Sequence, residues 1–303
     1  MSNNNYKSNR KPYNKSGKPD FKRKNDGKEG GNFRNFRENV NSQNANSRPV
    51  PVQDVKFKLK GENTLCSFMV LKESDSTLTL QNLGNLLNSS INHIAISIYE
   101  KEFESTKSLI LNTFEKHKEI LSFISYEKAS FDVHNKAFAV KKSDIFLITH
   151  SGMETRNYAV EILKRYLQKD GNLASVPTIY SNNGVIQKYC VRILTLAMQI
   201  KMLFSQEAKN HFIMMERGEV GYYKIHKIQA TFAPFAVNSK AFESTGGFKN
   251  TRDDSSSIFA FFKNINKNGA VLFVPSARFV QHAKPKESIC FMAKFRYFLT
   301  NVL

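Results

Sequence analysis

Residues 234–282 carry the clearest fold signal in the chain and read PFAVNSKAFESTGGFKN, TRDDSSSIFAFFKNINKNG and AVLFVPSARFVQH in succession. The two glycines of Gly246–Phe248 can adopt positive φ and let the backbone approach a ligand closely, while the phenylalanine anchors the turn. Gly269 is typical of the residue that follows a helix, and Pro275 fits a strand position that donates no hydrogen bond. The stretch therefore predicts a glycine turn, a helix and a strand in that order.

Upstream of this stretch, apolar runs of strand type alternate with helical patterns. Thr64–Leu71 is the first such run, and leucines recur at helical spacing after Asp75, a candidate N-cap. Further strands are predicted at His93–Ile98, Ile120–Ser125, Ile145–Ile148 and Leu173–Tyr180, and helices around residues 109–114 and 158–166. Strands that alternate with helices of about 10–15 residues imply βαβ units, so we expect an α/β domain with a mainly parallel central sheet.

The order of the motifs in residues 234–282 resembles the family 2 glycosyltransferases of the GT-A fold. In that family a Gly-Gly-Phe turn, an acidic pair that opens a helix, a glycine, a Val-Pro strand and a late histidine follow one another. Here Gly246–Phe248, Gly269, Val274–Pro275 and His282 keep this order over about 48 residues. The resemblance implies a nucleotide-diphospho-sugar transferase scaffold.

The N-terminal half of the chain fits the same template. In the family a helix that contains an asparagine leads into the fourth strand, and Asn135 precedes the predicted strand at Ile145–Ile148 in the same way. The resemblance spans residues 63–285 and implies a single GT-A-like domain at 63–287. It further implies transfer of a sugar from a nucleotide-sugar donor with inversion at the sugar.

The metal site of these enzymes lies after the fourth strand, where an Asp-x-Asp motif holds an ion that bridges the donor's diphosphate. Carboxylate oxygens suit Mg²⁺ or Mn²⁺, which neutralises the leaving phosphate. This window reads Thr149–Gly152 here, THSG, and the nearest carboxylate is Glu154. His282 matches a late histidine that is a metal ligand in some of these enzymes; a surface or hydrogen-bonded histidine is the alternative. No cofactor is certain, and Mg²⁺ or Mn²⁺ is expected only if the chain is active.

The resemblance also indicates where a nucleotide would bind. After the second strand, where the family has an Asp-rich turn, Glu100 and Glu102 can accept hydrogen bonds from the base or the ribose; a solvated charged turn is the alternative. Gly246, Gly247 and Phe248 are the second set of candidate substrate-binding residues.

An inverting transferase needs a carboxylate that removes the proton of the acceptor hydroxyl. The family's acidic pair would fall on Ser257–Ile258, whereas this chain carries Asp253 and Asp254 a few residues earlier. We take Asp254, with Asp253, as the candidate catalytic base. The alternative is that the pair only caps the N-terminus of a helix.

Residues 1–48 form a basic arm that contributes no core. The arm holds 12 Asn, and its 12 Lys/Arg against 4 Asp/Glu give a net charge of +8. We expect it to be disordered, with a linker at 49–62, because it has too little apolar surface to offset the entropy of ordering. Aromatic residues interleaved with Lys and Arg suit RNA or an anionic membrane surface; a solubilising extension is the alternative.

Residues 288–303 predict an aromatic and basic helix that either docks on the domain or lies on anionic lipid. Cys66, Cys190 and Cys290 lie far apart and indicate reduced thiols of a cytoplasmic protein. No run of about 18 apolar residues predicts a transmembrane segment. We expect a cytoplasmic location or a peripheral one at the inner face of the membrane.

Two functions remain open. The chain is either a glycosyltransferase-like enzyme with weakened or lost catalysis, or a non-catalytic scaffold whose arm binds RNA or another polyanion. The fold alone does not separate them.

Overall fold

The computed structural model describes residues 63–72, 74–156, 158–187, 189–192, 226–231, 234–249 and 254–282. The predicted arm, linker and C-terminal helix lie outside the described residues, as does Asp253. Within the described residues, no helix combines the length and the apolar character needed to cross a membrane.

Strands and helices alternate as predicted. The strands are β1 (Thr64–Met69), β2 (His93–Tyr99), β3 (Leu121–Tyr126), β4 (Ile145–His150), β5 (Met153–Arg156), β6 (Asn172–Ser181), β7 (Ile186–Gln187), β8 (Cys190–Arg192), β9 (His226–Thr231), β10 (Phe235–Asn238) and β11 (Ala270–Gln281). The helices are α1 (Ser76–Leu87), α2 (Phe103–Thr113), α3 (Asp132–Phe138), α4 (Ala159–Leu167), α5 (Ser239–Ser244) and α6 (Asp254–Asn268), with short 3₁₀ turns at Glu100–Glu102 and Glu115–Ile120. The α/β class is therefore confirmed.

The strands form one mixed sheet in the order β3-β2-β1-β4-β10-β6-β11-β9-β8, with β5 paired to β11 and β7 to β6. Neighbours from β3 to β4 are parallel, and β10 alone reverses direction between β4 and β6. Because β6 and β11 are parallel to each other, the six strands β1, β2, β3, β4, β6 and β11 run the same way. The expected mainly parallel sheet is confirmed, and the antiparallel pairs are made by β10 within the sheet and by the short strands β5, β7, β8 and β9.

Local sequence signals explain the element ends. Asp75 caps α1 as predicted, because its carboxylate accepts a hydrogen bond from the Thr77 N–H at 2.8 Å. Gly269 directly follows α6 as predicted, but its φ is not positive. A Cβ there would lie 2.6 Å from the Gly171 carbonyl oxygen, so the glycine is needed for close packing against the chain after α4.

The interior strands are buried on both faces, as expected for a parallel sheet covered by helices. Burial raises the pKa of the Cys66 thiol and raises that of Cys190 to about 12. Both cysteines are free and buried, in agreement with the prediction of reduced thiols, and Cys290 lies outside the described residues.

An irregularity in β11 determines where its last residues lie. Val274 pairs with Pro177 of β6, whereas the next β6 residue, Thr178, pairs with Arg278, so three residues that include Pro275 are looped out of register. Proline is tolerated at such a bulge because no ladder hydrogen bond is donated there. Beyond the bulge, β11 also pairs with β5, which brings the end of β11 to the segment that follows β4.

Candidate functional site at the carboxyl edge of the sheet

Strands β1 to β4 are parallel, so their carboxyl ends meet along one edge of the sheet, where ligands bind in open α/β sheets. We call this the carboxyl edge. The Gly-Gly-Phe turn consists of residues 246–248, and the β4–β5 segment consists of residues 149–154.

The Gly-Gly-Phe turn has the predicted backbone conformation. Gly246 and Gly247 have φ of 71° and 66°, which residues with a side chain rarely adopt. The backbone at Gly247 does approach a neighbour closely, but the neighbour is the protein's own side chains and not a ligand. A Cβ at Gly247 would overlap Asn135 Oδ1 and lie 3.2 Å from the ring of Phe242. At Gly246 the same addition meets open space.

Asn135 of α3 holds the turn in place from 113 residues away. Its Nδ2 donates to the Phe248 carbonyl at 2.7 Å, and the Phe248 N–H donates to its Oδ1 at 2.9 Å. Both backbone polar groups of Phe248 are thus satisfied by one side-chain amide. The sequence showed only that an asparagine precedes the fourth strand and gave no sign of this contact.

The Phe248 side chain anchors the turn in the core. The ring is 2% exposed and lies 4.8 Å from Phe261 and 4.9 Å from Phe131, between ring centroids. Tilted aromatic pairs at such distances are favourable beyond the area that they bury. A buried ring leaves the turn's backbone, rather than this side chain, to face a ligand.

Helix α3 also binds β1, through His134. The His134 Nδ1 and the Ser67 hydroxyl are 2.7 Å apart, and the imidazole is tilted against the Phe248 ring at 6.1 Å between centroids. Burial, with a contribution from nearby His150, lowers the pKa of His134 to about 3. Burial lowers the pKa of His150 to about 4. Both rings are therefore neutral at physiological pH and belong to the packing of the edge.

The β4–β5 segment is held by hydrogen bonds from its surroundings. Ser151, which is fully buried, donates its N–H to the Met69 carbonyl at 2.9 Å, and its hydroxyl accepts from the Leu71 N–H at 3.0 Å. Its carbonyl accepts from the side-chain amide of Asn82. The next residue, Gly152, donates its N–H to His150 Nδ1 at 3.1 Å. Within this segment Glu154 is the only carboxylate, as the sequence indicated.

Glu154 and His282 form a pair that joins β5 to the end of β11. The buried Glu154 Oε2 lies 2.6 Å from His282 Nε2 and 3.1 Å from the Arg156 guanidinium. The His282 N–H also donates to the Gly152 carbonyl at 2.9 Å, which extends the β5–β11 ladder by one residue. The sequence singled out each residue separately, and only the bulge in β11 brings them together.

The candidate nucleotide residues lie after β2. Glu100 is exposed and Glu102 partly buried, both in the 3₁₀ turn that directly follows Tyr99. Burial, Glu102 and Tyr99 raise the pKa of Tyr126, at the end of β3, to about 12. The Tyr126 hydroxyl donates to the Val70 carbonyl at 2.6 Å after β1. The acidic turn therefore lies on the carboxyl edge as expected, and its binding role stays a prediction.

Two aromatic rings and a lysine beside this turn were not anticipated. Tyr99 and Tyr126 lie 6.0 Å apart between centroids, and Lys72 Nζ is 5.1 Å from the Tyr99 centroid. Lys72 follows β1 closely and is exposed. A lysine three residues past a short apolar strand is a weak signal, because only the sheet order places it beside the end of β2.

The candidate base stands at the start of α6. The helix begins at Asp254, which is consistent with the capping alternative, and Asp253 lies outside the described residues. The family position of the base, Ser257–Ile258, is buried, and the Ser257 hydroxyl donates to the Lys249 carbonyl at 2.7 Å. That position therefore packs against the Gly-Gly-Phe turn, and the catalytic role of Asp254 stays a prediction.

Among the described residues, no three His, Cys, Asp or Glu side chains are grouped so as to hold a metal ion. The Asp-x-Asp position is filled by a hydrogen-bonded segment, and the carboxylate within that segment, Glu154, is already paired. The described residues of this edge therefore do not fit an Mg²⁺ or Mn²⁺ site of the kind that the resemblance implies.

Two solved structures are similar to the chain. A structure of GalNAc-T7 with UDP, GalNAc and Mn²⁺ superposes with a TM-score of 0.52 and 12% identity, over 74% of this chain and 44% of that one. The mannosyltransferase PcManGT from Pyrobaculum calidifontis, in complex with GDP-Man and Mn²⁺, gives a TM-score of 0.48 and 12% identity over 73% of this chain and 57% of its own. The chain thus spans about half the length of these proteins.

No protein-family profile matches the chain, and no curated protein sequence matches it. The likeness to GalNAc-T7 is one of fold, since identity is low. The chain has a glycosyltransferase-like α/β scaffold of the GT-A type.

Proposed function

We propose that this chain binds a nucleotide sugar at the carboxyl edge and resembles the inverting family 2 glycosyltransferases, with catalysis weakened or lost. The observation that carries the proposal is the Gly-Gly-Phe turn. Its two glycines hold positive φ, and Asn135 fixes it to α3, the helix that follows β3, whereas Glu100 and Glu102 follow β2. A rigid backbone turn together with hydrogen-bond acceptors is suited to a sugar nucleotide, whose hydroxyls and phosphates need both donors and acceptors.

If the chain is active, Asp254 is the residue that we propose as the base, with Asp253 beside it. The acceptor oxygen would form the new bond to the anomeric carbon as the bond to the donor's diphosphate breaks, and the carboxylate would take the acceptor proton. Asp254 opens α6 next to the Gly-Gly-Phe turn, which supports this assignment. Inversion follows from this single displacement.

Calorimetric titration of the full chain with UDP-sugars and GDP-sugars tests the proposal. Saturable binding supports it, and the absence of heat at millimolar donor contradicts it. Asp254→Asn should abolish any sugar transfer while leaving donor binding in place. Asp170→Asn, an exposed carboxylate before β6 at the opposite edge of the sheet, is the matched control and should change neither.

We also propose, as the second function, a non-catalytic scaffold whose basic arm binds RNA or another polyanion. The closed β4–β5 segment favours it, because the position that holds metal-binding carboxylates in the family is used for structure here. RNA affinity should fall steeply with salt and be lost on deletion of residues 1–48. Equal affinity without the arm contradicts this role, and binding of the arm to phosphatidylserine vesicles instead of RNA would assign it to the membrane surface.

A further inference from the structure

The β4–β5 segment is built as a closed structural element. The Ser151 N–H, hydroxyl and carbonyl all have protein partners, and the Gly152 N–H and carbonyl are bonded to His150 and His282. A hard divalent cation requires several oxygen ligands in a near-octahedral arrangement, with carboxylates among them. The polar groups of Ser151 and Gly152 are held by protein partners, and the buried Thr149 hydroxyl, which has no partner among the described residues, is a neutral group. The segment therefore does not offer that arrangement.

The negative charge of Glu154 is likewise balanced within the protein. Its Oε2 accepts from the Arg156 guanidinium at 3.1 Å and faces His282 Nε2 at 2.6 Å. Because arginine keeps its charge at all relevant pH values, the carboxylate is already balanced by a cation from the chain itself. A divalent ion at this carboxylate would meet a negative charge that the arginine already balances.

The same edge carries an exposed cation that is available to a ligand. Lys72 Nζ lies 5.1 Å from the Tyr99 ring, and Tyr99 stands 6.0 Å from Tyr126. The residue before Lys72, Leu71, donates its N–H to the Ser151 hydroxyl. Lys72 therefore lies just after β1, next to the β4–β5 segment. A lysine ammonium is a compact charge that pairs well with phosphate oxygens.

We propose that this chain recognises a nucleoside diphosphate without a divalent metal, with Lys72 supplying the positive charge at the diphosphate. The inference rests on the proposed function. The Glu154–His282 pair then acts as a structural tie that holds the β4–β5 segment closed. The Tyr99 and Tyr126 rings position the lysine beside the ends of β1 and β2.

Titration of the full chain with UDP, once with EDTA and once with Mn²⁺, tests the inference. The dissociation constants should agree within about twofold, and uridine, which lacks phosphates, should bind at least about tenfold more weakly than UDP in EDTA. UDP binding that is tenfold or more tighter with Mn²⁺ overturns the inference but leaves the proposed function standing. No UDP or sugar-nucleotide binding in either buffer overturns the proposed function itself.

Lys72→Met should weaken UDP binding in EDTA about tenfold, the loss expected for one charge-assisted hydrogen bond. Lys169→Met is a matched control, because Lys169 Nζ also lies 5.1 Å from a tyrosine centroid, that of Tyr166, but precedes β6 at the opposite edge of the sheet. Both lysines are exposed, so both variants should fold. Equal UDP affinity of the two variants contradicts the role of Lys72.

Discussion

The Gly-Gly-Phe turn and the β4–β5 segment differ in how closely they keep the pattern of the family that the chain resembles. The turn keeps the glycines that the family pattern requires and is fixed from behind by Asn135, so its outer backbone can face a ligand. The segment lacks the carboxylates of that pattern, and hydrogen bonds from β1, α1 and β11 close it. The chain thus keeps the backbone of the turn where the metal-binding carboxylates of the pattern are absent. Four predictions test this contrast, from the largest expected effect to the smallest.

Asn135→Ala should produce the largest loss of stability. It leaves the Phe248 N–H and carbonyl without partners in a partly buried place, at about 1–2 kcal/mol each, so the free energy of unfolding should fall by about 2–4 kcal/mol. Urea unfolding measures it. Asn172→Ala is the control. It removes one hydrogen bond, from the Asn172 side-chain amide to the Tyr166 carbonyl, and should cost about 1 kcal/mol. Equal losses would show that the two hydrogen bonds to Phe248 contribute no more than the single one at Asn172.

Gly247→Ala should cost about 2–3 kcal/mol, because a positive φ is combined with overlap on Asn135. Gly246→Ala has a similar φ but open space around its Cβ, so only the conformational cost of about 1 kcal/mol remains. The difference between the melting temperatures of the two variants separates the cost of the positive φ from the cost of the overlap with Asn135. If both melt at the same temperature, the close approach to Asn135 is unimportant.

His134 predicts a pH dependence of stability. Its folded pKa, about 3, lies below the ordinary value of 6.5, so the unfolded chain takes up the proton first as the pH falls. The stability from His134 is therefore complete above about pH 6.5 and decreases from there towards pH 3. Over the two pH units from 6.5 to 4.5 this amounts to about 2–3 kcal/mol.

His134→Asn, which keeps a polar atom near Ser67 but cannot take up the proton, should flatten the pH profile of unfolding by that amount. Ser67→Ala keeps the imidazole and should retain the slope. A profile in His134→Asn as steep as that of the parent chain would assign the acid sensitivity to other groups.

Ser151→Ala should have the smallest effect, about 1 kcal/mol, since it removes one acceptor for the Leu71 N–H and leaves the backbone bonds of the β4–β5 segment intact. Ser244→Ala is the matched control; its exposed hydroxyl bonds only within α5, and its loss should be close to neutral. Hydrogen exchange at Leu71 in the Ser151→Ala variant is the local readout. Unchanged protection there would show that the hydroxyl does not close the segment.

Much of the fold could be predicted from sequence, because secondary structure follows local patterns. Apolar runs gave β1, β2, β3, β4 and β6 within one or two residues, but not the short β5, and Asp75 marked the start of α1. The glycines of the turn were recognisable because few other residues adopt positive φ. Gly269 was located correctly, but its steric reason was not visible, because that depends on the neighbouring chain at Gly171.

By itself, the sequence determined the α/β alternation, the Gly-Gly-Phe turn and the lack of carboxylates in Thr149–Gly152. Only the tertiary structure decided the partners: Asn135 with Phe248, 113 residues apart, and Glu154 with His282, 128 residues apart. A periodic pattern specifies which face of an element is apolar, but not which distant element meets it. Which distant elements meet depends on the strand order and on the bulge in β11. The bulge changes the direction of β11, so that its final residues pair with β5 after β4.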